Sequence, residues 1–154
     1  MSSPEQQLAA LGITLPSAPA PAASYVPFVR SGNLLYTAGQ LPSVEGQLAA
    51  TGLVGGEVDL ATAISCAHIC AINVMAQARA ALGSLDAVTQ VVKLTVYVAS
   101  APGFTEQHLV ANGASELLAE VFGDAGRHAR SAVGVASLPL GAPVEVDAVL
   151  EVRA

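Results

Sequence analysis

The chain closes with Val144-Glu145-Val146-Asp147-Ala148-Val149-Leu150-Glu151-Val152, and this stretch decides the fold. Its apolar and acidic side chains alternate, so one face holds Val144, Val146, Ala148, Leu150 and Val152 and the other holds Glu145, Asp147 and Glu151. Such alternation is typical of a strand that turns one face to a core. The stretch therefore predicts a half-buried closing strand.

Four further strands are predicted from the same kind of pattern. In residues 88–98, Val92, Leu94, Val96 and Val98 alternate with Lys93, Thr95 and Tyr97. A strand at 131–136 precedes the closing strand, which we expect to return antiparallel to it. Two short strands, near 28–30 and 34–38, flank Ser31-Gly32-Asn33, which is a good hairpin signal.

Three helices are predicted between these strands. Ser3-Pro4-Glu5-Gln6 opens a short helix with a capping box, and Gly12 ends it. Residues 59–82 carry an apolar stripe of helical period, and a second long helix covers about 105–121. Residues 16–23 form a Pro/Ala-rich connector, and residues 39–56 form a loop with five glycines.

The order β-β-α-β-α-β-β predicts an α+β fold, with one mixed sheet and both long helices on one face. We expect residues 1–24 to form an N-terminal helix and connector, and residues 25–154 a single domain. Small residues, Thr95, Ala132 and Gly134, are expected on the sheet's other face, where they would suit packing against a neighbouring subunit.

Composition favours a homo-oligomer. The chain is 53% hydrophobic and only 12% charged, whereas about a quarter of the residues of an ordinary soluble domain are charged. Part of the surface is therefore expected to be covered by other subunits. The alternative is an unusually apolar monomer.

The charge excludes sequence-independent nucleic-acid binding. The formal net charge is −6, and the six Lys and Arg residues are scattered, with only Arg127 and Arg130 close in sequence. A nucleic-acid binder needs clustered cations to displace counterions from phosphates. A small anion can still be bound, by one placed arginine.

The location and the cofactor requirement are also constrained. The first residues lack a basic segment followed by an apolar one, and polar residues interrupt the longest apolar stretch, so we expect a cytoplasmic protein without a membrane span.

Cys66, His68 and Cys70 suggest zinc, but a helix turns His68 about 200° away from Cys66, and a fourth ligand is missing. We expect no metal and no cofactor.

Arg130 and Glu145 are the candidates for chemistry. Arg130 begins an apolar strand, where its planar fork could bind a carboxylate. The equally weighted alternative is a surface arginine or an ion pair with Glu145 or Asp147. Glu145 could position water or move a proton if burial raises its pKa. Asn112, which lies in the second long helix, and Tyr25 say little from sequence alone.

Several motifs resemble those of the YjgF/RidA family, also described as endoribonuclease L-PSP. The resemblance begins with Gly32-Asn33-Leu34-Leu35-Tyr36-Thr37-Ala38-Gly39-Gln40-Leu41-Pro42 and continues with Ala71-Ile72-Asn73-Val74 and residues 92–98. Its most specific part is Arg130-Ser131-Ala132-Val133-Gly134-Val135-Ala136-Ser137-Leu138-Pro139 with Val144-Glu145-Val146-Asp147-Ala148. These motifs span about residues 25–152 in the family's order.

The resemblance implies a chorismate-mutase-like fold and a homotrimer with ligand clefts between subunits. For the family's deaminase branch it implies hydrolysis of 2-aminoacrylate-type enamines or imines to 2-oxo acids and ammonia, without a cofactor. The residue matching Arg130 would hold the substrate carboxylate and that matching Glu145 would position or activate water. Tyr25, Ala38, Gly39 and Asn112 would line the cleft.

Two departures distinguish this chain from the deaminase branch. Ala38 stands where that branch usually has serine. The segment 104–112, which ends at Asn112, is longer than the corresponding segment of that branch. These departures indicate a divergent branch. They leave three hypotheses: an enamine/imine deaminase, a non-catalytic carboxylate-binding or chaperone-like module, and a ribonuclease, against which the acidic charge counts.

Overall fold

The computed structural model describes residues 2–154 as a five-stranded sheet with helices on one face. The strands and helices have these bounds: α1 Pro4–Ala10, β1 Phe28–Ser31, β2 Leu34–Thr37, β3 Ser43–Val44, β4 Gln47–Leu48, α2 Leu60–Leu82, β5 Val88–Ala99, α3 Gln107–Phe122, β6 Ala129–Val135 and β7 Val144–Val152. The large sheet has the order β1-β2-β7-β5-β6. The predicted mixed α+β sheet is confirmed.

Strand β5 lies between the last two strands, so β7 runs antiparallel to β6, as expected, but does not pair with it. β6 runs parallel to β5 on one side, and β7 runs antiparallel to β5 on the other. The physical reason is α3, which connects β5 to β6 as a crossover and returns the chain to the end where β5 begins. The segment after β6 then crosses to the far side of β5.

The core lies between the sheet and the two long helices. All five apolar residues of the β7 pattern are buried, as predicted. In β5 the register shifts between Val91 and Lys93, which turns Val91 into the core and leaves Val92 38% exposed. The expectation that Val92 shares a face with Leu94 is therefore wrong, because regular alternation does not survive a bulge.

The small residues of β6 also lie on the helix side of the sheet, contrary to expectation. Ala132 and Gly134 are in register with Val96 and Val98, which are both fully buried. Residues in register on neighbouring strands share a face. Only Thr95 of the predicted set lies on the open face, meaning the face of the sheet that the helices leave uncovered.

Local signals explain where the helices begin and end. The Asp59 side chain accepts a 2.8 Å hydrogen bond from the Thr62 backbone N–H and caps α2, while Gly83 ends it in the left-handed region at φ +83°. The capping box at Ser3 and Gln6 is present at the start of α1, as predicted. α3 begins two residues later than expected.

The predicted loop 39–56 contains a hairpin that the sequence patterns did not reveal. Strands β3 and β4 are two residues long and pair antiparallel. Their turn is Glu45-Gly46, with φ +52° and +80°, the positive values of the two-residue turn whose twist matches the right-handed twist of the flanking strands. Such short strands have too few alternating positions to show a pattern.

Helix α2 is long and apolar enough to cross a membrane by length and composition, with a mean hydropathy of 1.4. More than half of the most apolar 18-residue stretch of α2 is buried inside the domain. Its cysteines, small residues and Val74 face the sheet and α3. The hydropathy of α2 is thus accounted for by its place in the core.

The two long helices approach each other closely at Gly113. A Cβ atom at this position would overlap the carbonyl oxygen of Ile64 on α2. Alanine normally stabilises a helix interior by about 0.5–1 kcal/mol relative to glycine. Because the overlapping atom belongs to backbone, we expect the opposite sign here.

We predict that Gly113→Ala lowers the free energy of unfolding by about 1–3 kcal/mol, as overpacking in a core does. Urea denaturation followed by circular dichroism measures this change. Glu120→Ala, at an exposed position of the same helix, serves as the control and is expected to stay within about 0.5 kcal/mol of wild type. A stabilised Gly113→Ala chain would show that the helices are not closely packed there.

Candidate functional site

Arg130 lies on the helix side of β6, where its guanidinium is held by α3. Nη1 donates to the Asn112 side-chain oxygen at 2.8 Å and to the Ser115 hydroxyl at 3.1 Å. Nη2 donates to the His108 carbonyl at 3.1 Å. The predicted grouping of Arg130 with Asn112 is therefore present in the geometry, and Ser115 joins it.

His128 extends this group of side chains. Its Nδ1 lies 2.7 Å from the Gly126 carbonyl oxygen, and its Nε2 lies 2.9 Å from the Ser115 hydroxyl. A carbonyl only accepts, so Nδ1 carries a hydrogen, and in this tautomer Nε2 accepts from the Ser115 hydroxyl. The Ser115 oxygen is then left to accept from Arg130, which fixes the guanidinium through two linked hydrogen bonds.

The positive charge of Arg130 is not neutralised by an acidic side chain. Its three acceptors are an amide, a hydroxyl and a backbone carbonyl. The ion pair found within residues 2–154 joins Arg79 to Glu5 and does not involve Arg130. A shallow cavity of about 350 Å³ adjoins the guanidinium, lined by Ser115, Glu116, Ala119, Gly126, Arg127, His128 and Arg130. The arrangement suits a small anion.

Glu145 lies on the open face of the sheet and touches Gly39. It is opposite Tyr97 in the register of β5 and β7, and a Cβ atom at Gly39 would overlap its carboxylate oxygen. Only glycine leaves room for this approach. Burial raises the pKa of the Glu145 carboxyl, and the nearby charge of Asp147 raises it further.

Asp147 and Tyr97 complete a polar cluster beside Glu145. The Tyr97 hydroxyl donates to Asp147 Oδ2 at 3.1 Å. Burial raises the pKa of Asp147, although the Tyr97 hydrogen bond, Lys93 and Thr95 oppose the shift. Burial also raises the pKa of Tyr97, with the two carboxylates adding to it. Half-burial thus favours the neutral forms of both acids.

Arg130 and Glu145 are not neighbours within one protomer, contrary to the expectation that the antiparallel return would bring them together. Arg130 pairs with Leu94 and Glu145 with Tyr97, so β5 lies between them and they are three residues apart along it. Two strand spacings and three residues correspond to about 10 Å in each direction. They also occupy opposite faces of the sheet.

The other predicted site residues lie near Glu145 rather than near Arg130. Tyr25 is 48% exposed, and its hydroxyl accepts a hydrogen bond from Ala22 N at 3.2 Å. Tyr25 and Gly39 both line a larger cavity, of about 780 Å³, between α2, the segment 14–27 and the β3–β4 hairpin. Ala38 is half-buried, and its backbone N–H donates to Pro27. The predicted site residues thus form two groups. Arg130 lies with Asn112, and Glu145 lies on the side of Tyr25, Ala38 and Gly39.

Sequence reasoning missed Ser115 and His128. Ser115 lies three residues after Asn112, which places both on one face of α3. His128 lies two residues before Arg130, the period at which strand side chains share a face. These spacings were visible in the sequence, but a lone serine and a lone histidine carry no chemical signal until a partner is known.

The cysteines of α2 are buried thiols. Burial raises the pKa of Cys66 and raises that of Cys70 well above its ordinary value. Within residues 2–154, no three His, Cys, Asp or Glu side chains are grouped as a metal site would require. A raised pKa keeps the thiol protonated, which makes it a poor nucleophile.

A sequence model of the family described as Endoribonuclease L-PSP matches residues 15–152. The chain belongs to this family. It is 53% identical over 144 residues to Protein TCP17 of Trypanosoma cruzi, covering 93% of this chain and 90% of that protein. The YjgF/RidA resemblance seen in the motifs is therefore confirmed, together with the chorismate-mutase-like fold.

Two solved structures show how the family varies. The protein Atu1372 of Agrobacterium tumefaciens, whose function is unknown, is 56% identical with a TM-score of 0.91, over 97% of this chain and 92% of that one. TdcF of E. coli, solved with bound serine, is 27% identical with a TM-score of 0.66, over 89% and 94%. This L-PSP chain therefore resembles Atu1372 more closely in structure than it resembles TdcF.

The raised pKa of Glu145 predicts a pH dependence of stability. The unfolded carboxyl titrates near its ordinary value of 4.5 and the folded one titrates higher. Between these values the folded chain binds more protons than the unfolded chain, so stability falls as pH rises through this window and stays lower above it. Glu145→Gln should therefore be more stable than wild type above the window, and the gain should vanish below about pH 4.5.

Urea unfolding at several pH values measures this difference. Asp147→Asn is the matched variant. It removes the Asp147 charge, which is the second cause of the raised Glu145 pKa, so the pH range over which stability falls should become narrower but should not disappear. An identical pH dependence in wild type and Glu145→Gln would contradict the prediction.

Proposed function

We propose that this protein is an enamine/imine deaminase that hydrolyses 2-aminoacrylate-type carboxylates to 2-oxo acids and ammonia. The observation that carries the proposal is the Arg130 guanidinium, which is oriented by three neutral acceptors and keeps its charge for a ligand. Family membership supports the same chemistry, because the motifs around Arg130 and Glu145 match those of the deaminase branch.

The hydrogen bonds of Arg130 leave donors for a carboxylate. A guanidinium has five N–H groups, and α3 engages three of them. The other two, on Nε and Nη2, have no acceptor within residues 2–154. Two parallel charge-assisted hydrogen bonds are the arrangement in which arginine holds a carboxylate. TdcF, a solved relative, holds serine, which also carries a carboxylate beside an amino group.

Glu145 supplies the second chemical requirement. Hydrolysis of an imine needs water to attack the carbon, a proton to reach the nitrogen, and the C–N bond to break as ammonia leaves. A carboxyl whose pKa burial has raised is better matched to proton transfer near neutral pH than an ordinary one. Glu145 is therefore the group proposed to position this water and move its proton.

The separation of the two groups favours a cleft between subunits. A small substrate cannot span about 14 Å from Arg130 to Glu145 through the sheet of one protomer. The open face carries exposed apolar side chains that suit a subunit contact: Val29, Tyr36, Val92 and Val133. We therefore propose a homotrimer in which Arg130 of one subunit and Glu145 of another meet across a cleft.

One observation favours a second function, that of a non-catalytic carboxylate binder. Ala38 brings a methyl group where the deaminase branch has a hydroxyl, and its backbone N–H is already bonded to Pro27. A ligand therefore gains no hydrogen bond there. Binding without turnover would remain if Glu145 alone cannot orient water.

The test is pyruvate formation from 2-aminoacrylate generated in situ. Wild type is expected to accelerate it, and Arg130→Ala should lower the rate by about 100-fold or more, because it removes two charge-assisted hydrogen bonds worth about 1.5–3 kcal/mol each. Arg153→Ala, which removes an exposed arginine at the end of the chain, is the control and should keep full activity. No acceleration by wild type would overturn the proposal, and calorimetric binding of 2-oxobutyrate without turnover would favour the second function.

Ser115 is predicted to contribute through Arg130. Ser115→Ala removes one acceptor of the guanidinium and the link to His128, so binding of 2-oxobutyrate should weaken about 3- to 10-fold, the value of one hydrogen bond. Ser137→Ala, at an exposed position after the end of β6, is the control and should bind as wild type does. Unchanged affinity in Ser115→Ala would show that Asn112 and His108 alone orient Arg130.

A further inference from the structure

Ser115 and His128 form a hydrogen-bonded pair with the geometry of a nucleophile and its base. The Ser115 hydroxyl donates to His128 Nε2 at 2.9 Å, and His128 Nδ1 donates to the Gly126 carbonyl at 2.7 Å. Enzymes that acylate a serine use the same order of contacts, in which a third group orients the base. We propose that Ser115 is a nucleophile that cleaves small carboxylic esters bearing an anionic group.

The Gly126 carbonyl takes the place that a carboxylate has in a catalytic triad. It accepts the Nδ1 hydrogen, which leaves the Nε2 lone pair directed at the Ser115 hydroxyl. A Cβ atom at Gly126 would overlap the carbonyl oxygen of Leu118, so the turn that presents Gly126 packs closely on α3. Ser115 lies within α3, and His128 directly precedes β6. Regular elements therefore hold both members of the pair.

Arg130 supplies positive charge beside the nucleophile. Its Nη1 donates to Ser115 Oγ at 3.1 Å, and a cation in this position stabilises the negative charge that develops on the attacking and carbonyl oxygens. A hydroxyl oxygen has two lone pairs. Arg130 engages one of them, and the other remains to attack carbon. The Nε and Nη2 hydrogens of Arg130 that lack an acceptor within residues 2–154 can bind the anionic group of the ester.

The shallow cavity beside this pair can admit such a substrate. Its volume of about 350 Å³ is that of a small-molecule site. Ser115, His128 and Arg130 all line it, and none of them is fully buried. The charged side chains of its wall are Glu116, Arg127 and Arg130. Two positive charges against one negative favour an anionic substrate over a cationic one.

The reaction needs only the ester and water. Ser115 Oγ attacks the ester carbonyl carbon while its proton passes to His128 Nε2. The C–O bond to the alcohol then breaks, and His128 returns the proton to the leaving oxygen, which leaves an acyl group on Ser115. Water attacks this acyl group, again through His128, and releases the carboxylic acid and the free serine.

The probes are 4-acetoxybenzoate and methyl 4-acetoxybenzoate, a matched pair that transfers the same acetyl group although only the first carries a carboxylate. Release of the phenol by the full-length chain, followed by absorbance, should be about 10-fold or more faster for the anionic ester, the value of one charge-assisted hydrogen bond. Mass spectrometry of peptides from the acid-quenched reaction should find the acetyl group on Ser115.

Two variants separate a nucleophile from a structural serine, with circular dichroism to confirm that each is folded. Ser115→Ala should lose both the acetylated peptide and the acceleration, whereas Ser137→Ala, at an exposed position outside the cavity, should keep both. His128→Gln keeps an oxygen that can accept from Ser115 but has no base, so the rate should fall about 100-fold or more. Added imidazole should restore part of this rate, beyond its own reaction with the ester.

A purely structural hydrogen bond between Ser115 and His128 would give neither an acetylated serine nor a response to imidazole. That result, acetylation that persists in Ser115→Ala, or equal rates for the two esters would each overturn the inference. Absence of deaminase activity would not, because ester cleavage shares Arg130 with the proposed function but requires neither Glu145 nor a second subunit.

Discussion

The position of β5 between β6 and β7 is the constraint on which the rest of the structure depends. It places the strand that carries Arg130 and the strand that carries Glu145 on opposite sides of a central strand. It also fixes which residues share a face, because each pairs with a residue of β5. The arginine proposed to bind a carboxylate and the glutamate proposed to act as a base therefore lie on opposite faces, and the proposed reaction, which uses both, would require a second subunit.

The elements of the fold were largely predictable because their patterns are local. The alternation of β7 and the cap at Asp59 reflect neighbours within one turn or one strand. The order of strands in the sheet is not local, since it depends on where α3 returns the chain. For the same reason the bulge in β5, which exchanges Val91 for Val92 in the core, could not be seen in the sequence.

The candidate site divides in the same way. Arg130 and Glu145 were identifiable because they lie in family motifs, and Asn112 because the resemblance implies a cleft residue at its position. Their surroundings were not, because the role of a serine or a histidine depends on what it faces. Ser115 becomes informative only when its oxygen is seen between Arg130 and His128. The departure at Ala38 was visible in sequence, whereas the engagement of its N–H by Pro27 was not.

The polar residues of α2 show how one helix organises both the core and the segments outside the sheet. Asn73 donates to the carbonyls of Leu41 and Ser43 at 2.9 and 3.0 Å, which holds the start of the hairpin. Gln77, four residues later on the same helix face, holds the connector at Pro19. Both are almost fully buried. A leucine at either position would fit the core equally well by hydropathy, but it would leave those carbonyls unpaired. The two buried amides of α2 therefore tie the hairpin and the connector to the core.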